Sequence, residues 1–133
     1  MSKRQVLTLL AAAAVVLGIA LPAAWASGNF TWSCTFSHRC VSRTYNTPHT
    51  GTHTIWKYDA SCPGPGTKLQ IRVVHEEFGP DTFYAWKSYD CGATDQSRSW
   101  SIPQTGDFHF DIPKADTTDT SYDWVVSGQT FYP

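Results

Sequence analysis

Past residue 26 the chain has no apolar run long enough to cross a membrane, and no segment of ten or more residues keeps a helical period. The first absence argues against a transmembrane helix there. The second leaves strands as the regular structure to look for. Charge is also scarce. Only 16% of residues are charged and the formal net charge is −1, so the chain carries no basic footprint for nucleic acid and no polybasic membrane patch. Catalytic signatures are missing as well: there is no Gly-x-Ser-x-Gly, no Gly-rich phosphate loop and no His-Glu-x-x-His. The paired Cys-x-x-Cys spacing of a zinc site is absent. No cofactor, no metal and no catalytic residue is implied.

What is present begins with an export signal. Lys3 and Arg4 make a positive start, Val6 to Leu21 is apolar and uncharged, Pro22 breaks the run, and Ala24-Trp25-Ala26 offers small residues for cleavage. This is the three-part plan of a secretory signal. The expected organisation is a signal peptide over 1–26 and one domain over 27–133, secreted and free of the membrane once cleaved. No cysteine follows the cleavage site, so a lipid anchor is not expected.

All four cysteines, Cys34, Cys40, Cys62 and Cys91, lie in the exported part. An even number in a small exported chain points to two disulfides, with three connectivities open. Cys34–Cys40 with Cys62–Cys91 is preferred. A tight hairpin at Phe36-Ser37-His38 sets the first pair opposite one another within bonding reach, although that loop lacks a glycine. The second pair brackets the stretch on which the rest is organised. Lys68–His75 and Thr82–Tyr89 are β-rich, and Phe78-Gly79-Pro80-Asp81 between them is a turn, so the stretch reads as a hairpin stapled at its open end.

Other segments alternate in the manner of half-buried strands. Phe30, Trp32, Cys34 and Phe36 share one face of Asn29–Phe36. His53, Ile55 and Lys57 oppose Thr54, Trp56 and Tyr58. Leu69, Ile71 and Val73 share a face. Phe108, Phe110 and Ile112 point to the core, with Asp107, His109 and Asp111 outward. Arg39–Tyr45 reads as one edge strand with Arg39, Val41, Arg43 and Tyr45 on a common face. Ser99–Ile102 is short. Tyr122–Val126 and Gln129–Tyr132 form a last strand, interrupted at Ser127-Gly128 where a bulge fits. Seven or eight short strands separated by turns define an antiparallel β-sandwich, Ig-like or jelly-roll-like in layout, with a small barrel as the alternative.

Several constellations invite a chemical reading. Glu76 or Glu77, His109, and Arg72 or Arg43 supply the base, acid and phosphate clamp of a small hydrolase. Asp107 and Asp111 lie about 13 Å apart along one strand, too far for a retaining glycosidase pair. His49 and His53 could meet at a metal only if Gly51 turns the chain, with His38 as a third ligand. Asp116, Asp119 and Asp123 lie in a polar stretch without the spacing of a calcium loop. The aromatic residues say more. Trp56 with Tyr58, and Tyr84 with Trp86, make two rows at strand spacing. Facing out, they suit a sugar ring or a protein partner; facing in, they fill the space between the sheets. The expectation is a secreted, non-enzymatic binding protein for an extracellular glycan or protein. A small toxin, antimicrobial or enzyme inhibitor acting through a loop such as Phe78–Asp81 or Cys62–Thr67 is the alternative, and a small hydrolase the second.

Overall fold

The computed structural model describes residues 28–62, 66–114 and 123–133. The expected leader, Pro63-Gly64-Pro65, Asp116 and Asp119 fall outside these ranges. Regular structure within them is all strand. Ten segments follow in order: β1 (Gly28–Phe36), β2 (Arg39–Val41), β3 (Tyr45–Thr47), β4 (Gly51–Ser61), β5 (Lys68–Glu76), β6 (Thr82–Phe83), β7 (Lys87–Asp90), β8 (Gln96–Ile102), β9 (Gly106–Pro113) and β10 (Trp124–Tyr132). They build two antiparallel sheets. The first runs β1-β10-β4-β8. In the second, β9 and β5 lie at the centre. Strands β2 and β3 share the outer edge of β9, and β6 and β7 share that of β5. Ten segments thus occupy eight strand paths.

The sheets pack face to face. Alternation in β5 and β9 turns Leu69, Ile71, Val73, Phe108, Phe110 and Ile112 inward, and all six are fully buried. Each such side chain contributes about 1.5–3 kcal/mol relative to an exposed one. The first sheet meets them with Trp32 (ring centroid 4.8 Å from that of Phe110), His53 (4.7 Å from Phe108) and Tyr132 (4.7 Å from Tyr45). Tyr89 crosses the gap to donate to the Ile55 carbonyl at 2.7 Å. The hairpin stretch therefore lies beside β9 within one sheet, and its apolar face looks across to the other.

Disulfides join Cys34 to Cys40 and Cys62 to Cys91. The first links β1 to β2, and so ties the two sheets where the chain passes between them. The second spans the end of β4 and the turn after β7.

Two expected strands are each divided by one extra residue. Cys40 pairs with Ile112, but Tyr45 pairs with Phe108, so the register slips by one over residues 42–44. Ser42 holds the gap: its amide donates to the Phe110 carbonyl at 3.0 Å, and its hydroxyl accepts from the Phe110 amide at 2.9 Å. A slip of one residue reverses the side-chain faces. Tyr45 and Thr47 are consequently buried, and Tyr45 does not share a face with the exposed Arg39 and Val41. The same happens in the hairpin. Ile71 pairs with Lys87 and Val74 with Phe83, leaving one residue too many over 84–86. Tyr84 then packs toward the core while Phe83 and Trp86 face out.

The expected interruption of the last strand is a register shift on its β4 side. Ser127 faces Asp59 and Gly128 faces Lys57, so Tyr58 has no opposite number.

Candidate functional site

The outer face of the first sheet is built from alternate residues of four strands. Strand β1 presents Asn29, Thr31, Ser33 and Thr35; β8 presents Ser97, Ser99 and Ser101. Between them β4 presents Thr52, Thr54 and Trp56, and β10 presents Val125, Ser127, Gln129 and Phe131. Trp56 is 38% exposed. Its ring meets that of Tyr58 edge-on, with centroids 5.6 Å apart. Tyr58 shares the outer side with Trp56 by alternation, and the register shift falls just at it. The Tyr58 hydroxyl donates to Gln129 Oε1, and Gln129 Nε2 donates to Asn29 Oδ1 at 2.9 Å. Tyr58 is thereby held in one orientation by a chain of neutral groups across three strands. Of the four expected aromatic residues, this face brings together Trp56 and Tyr58.

The other two do not form a row. Tyr84 is partly buried, its hydroxyl donates to Gln104 Oε1, and burial pushes its acidity down. Trp86, 41% exposed, lies on the outer face of the second sheet. There the Arg72 guanidinium lies 4.1 Å from the Phe83 centroid and 4.4 Å from that of Trp86. The register slip over 84–86 puts Phe83 on the same face as Trp86.

Charge collects on this second face. Asp111 was expected to point outward into water, yet its side chain is fully covered. Arg39 and Arg72 fold over it, and Arg72 reaches Oδ2 through Nε and Nη2, both at 3.2 Å. His109 bonds Glu76 through Nδ1 at 2.7 Å, and its Nε2 lies 3.7 Å from Asp111 Oδ1. Thr44 also donates to Glu76, at 2.8 Å. Glu76, His109 and Arg72 of the hydrolase reading do meet here, whereas Arg43 lies over the Phe30 ring. The base and acid of a displacement must stand on either side of the scissile group, and Glu76 and His109 are bonded directly to each other. The clamp is bound to Asp111.

The three histidines of the conditional metal reading form no such group. His53 is buried and bonds the Tyr45 hydroxyl at 3.0 Å through Nδ1, while His38 and His49 are exposed. Burial lowers the His53 pKa to about 4, with His75 adding to the effect. No group of three or more His, Cys, Asp or Glu able to hold a metal occurs among the described residues. Lys57 is also drawn inside, its ammonium donating to the Ala93 carbonyl, and burial lowers its pKa.

The turn between β5 and β6 is braced at its neck. Glu77 Oε1 accepts from Thr82 at 2.9 Å and Gln104 at 3.1 Å and meets His75 Nδ1 at 2.8 Å. The hydrogen bonds from Thr82 and His75 hold the carboxyl below its usual range. Beyond this neck Phe78 is fully exposed, next to Gly79 at φ 113°.

No family model matches the chain, and no curated protein is similar to it. Among solved structures, a family two carbohydrate esterase from Cellvibrio japonicus is similar at 15% identity and a TM-score of 0.30. The match covers 79% of this chain and 34% of that one. The chain thus spans about a third of the length of the esterase chain it matches, and a likeness this slight bears on neither fold nor activity.

Proposed function

We propose that this is an extracellular, non-enzymatic binding module that holds a glycan on the outer face of its first sheet. The observation that carries the reading is the exposed Trp56 with the half-buried Tyr58 beside it, on a face otherwise composed mainly of hydroxyl and amide side chains. An aromatic ring offers a sugar a flat apolar surface at little rotamer cost. The surrounding threonines, serines and amides exchange hydrogen bonds with sugar hydroxyls as they do with water. Two disulfides suit a chain that works in an oxidising compartment, in keeping with the export signal. The test is retention of the purified protein on insoluble polysaccharides. Trp56→Ala should reduce it about tenfold, a loss of roughly 1.4 kcal/mol, and Trp86→Ala on the opposite sheet should leave it unchanged. Retention that follows Trp86 instead places the site on the other face.

A second reading, an inhibitor or toxin docking through a loop, is favoured by Phe78 alone: a fully exposed phenyl ring on a braced turn is preorganised for a pocket in another protein. Inhibition of a secreted hydrolase that vanishes in Phe78→Ala would support it. Equal activity of the two proteins would remove it.

A further inference from the structure

We infer that the ligand of the first face is a neutral polysaccharide presented as an ordered surface of several chains, rather than a single acidic or phosphorylated chain. This rests on the glycan reading above and adds the class of glycan and the form in which it is met.

Charge decides the class. Carboxylate, sulfate and phosphate groups are recognised by paired cations, above all by the fork of an arginine. Across β1, β10, β4 and β8 the outward positions hold hydroxyls, amides, Trp56, Tyr58, Val125 and Phe131. Asp59, at one end, is the charged residue among them, and it repels an anion. Lys87 reaches the β8 edge from the other sheet, where its ammonium is taken up by the Ser99 carbonyl. Arg98 of β8 points away from this face, its guanidinium over the Tyr89 ring and bonded to the Ser88 and Ser97 carbonyls. Arg43 lies over the Phe30 ring at the β1 edge, and Arg39 and Arg72, on the opposite face, are bound to Asp111. The two faces of this sandwich thus differ in kind: among the described residues no cation stands at an outward strand position of the face that carries Trp56 and Tyr58, and the cations near it, Lys87 and Arg43, lie at its edges.

Shape decides the form. A site for a single chain is a groove that covers most of the ligand. Among the described residues two recesses touch this face, one of about 190 Å³ along the β1 edge that includes Thr31, Ser33 and Arg43, and one of about 70 Å³ at the other end lined by Asp59, Ala60, Ser61, Val125 and Ser127; neither is lined by Trp56 or Tyr58, so the aromatic pair does not sit in a groove. Strands lie about 4.8 Å apart, so the four-stranded face is roughly 14 Å across. One chain laid over Trp56 and Tyr58 touches a strip of it. Chains side by side also reach Thr31 on β1 and the serines of β8, and their many weak, neutral contacts add up.

The experiment uses the full mature chain and four probes: microcrystalline cellulose and chitin as neutral ordered polymers, a calcium alginate gel as the acidic one, and cellohexaose as a soluble single chain. Retention on cellulose or chitin is expected, unchanged from low salt to roughly 1 M, where charge attraction is screened. Calorimetry with cellohexaose should give an affinity at least about tenfold weaker. Ser99→Lys with Thr31→Lys, both exposed and changed without touching the core, should create salt-sensitive retention on alginate. Salt-sensitive binding of the unaltered chain to alginate, or hexasaccharide affinity equal to that for the polymer, overturns this inference and leaves the glycan reading standing. Absence of retention on every polymer removes both.

Discussion

His53 is the residue whose surroundings most alter its chemistry. It sits between Tyr45, Phe108 and the second sheet's His75, with no partner for Nε2 among the described residues. Its pKa falls from 6.5 to about 4 because burial disfavours the charged ring. The unfolded chain therefore binds the extra proton first as pH drops. Stability from this residue is complete above about 6.5, is lost between there and about 4, and amounts to something on the order of 3 kcal/mol. Unfolding free energy measured by denaturant titration from pH 7 to pH 4 should fall steeply in the native protein. In His53→Phe the same curve should be flatter; an unchanged slope would assign the acid limb to other groups. Asp111 makes the contrary point. It lies at an outward position of β9, yet is buried, because two long arginine side chains cover it. Alternation states which way a side chain leaves the strand and leaves open what folds over it.

At the scale of elements, single-residue register slips decide what the outer faces carry. The slip over 84–86 separates Tyr84 from Trp86 and puts Phe83 beside Arg72. The slip at Tyr58 leaves Trp56 and Tyr58 on the one face that alternation gives them and turns Asp59 and Ser61 to that same outer face. Gly128 makes this second one possible. A Cβ there would come within 2.2 Å of the Trp56 carbonyl oxygen and 2.7 Å of the Trp32 ring. Gly128→Ala should therefore move β10 away from β4 and cost about 2–4 kcal/mol of stability, read as a lowered melting temperature, with retention on polysaccharide reduced as Trp56 shifts. A melting temperature within a degree or two of the native one would mean that the bulge relaxes freely.

For the molecule as a whole, two sheets with unlike outer faces are held by a common core and two covalent ties. Cys62–Cys91 closes a loop of 29 residues. Its removal in Cys62→Ala with Cys91→Ala should lower stability by about 2–4 kcal/mol, mainly by releasing the unfolded chain, without loss of the glycan face, because Trp56 and Tyr58 are held within β4 by its pairing with β8 and β10 rather than by the bridge beyond its end. Calorimetry alongside polysaccharide retention checks both halves of that statement. The strand count, the inward rows of β1, β5 and β9, the last strand's bulge and the stapled hairpin could be read directly in the sequence. Each depends on local alternation, turn residues or the pairing of a few cysteines. The division of two of the strands could not be read, nor could the burial of His53, Lys57 and Asp111, nor the company kept by Trp86. Those depend on which strand lies opposite and in what register. Periodicity along one chain segment holds no information about a partner 30 to 70 residues away. By itself the sequence determined an all-β chain whose aromatic residues exceed what its charge can explain. Only the tertiary structure decided that Trp56 and Tyr58 lie on a face whose outward strand positions hold no cation while Arg39 and Arg72 are bound on the other sheet, because side-chain direction is local and the neighbours across a sheet are not.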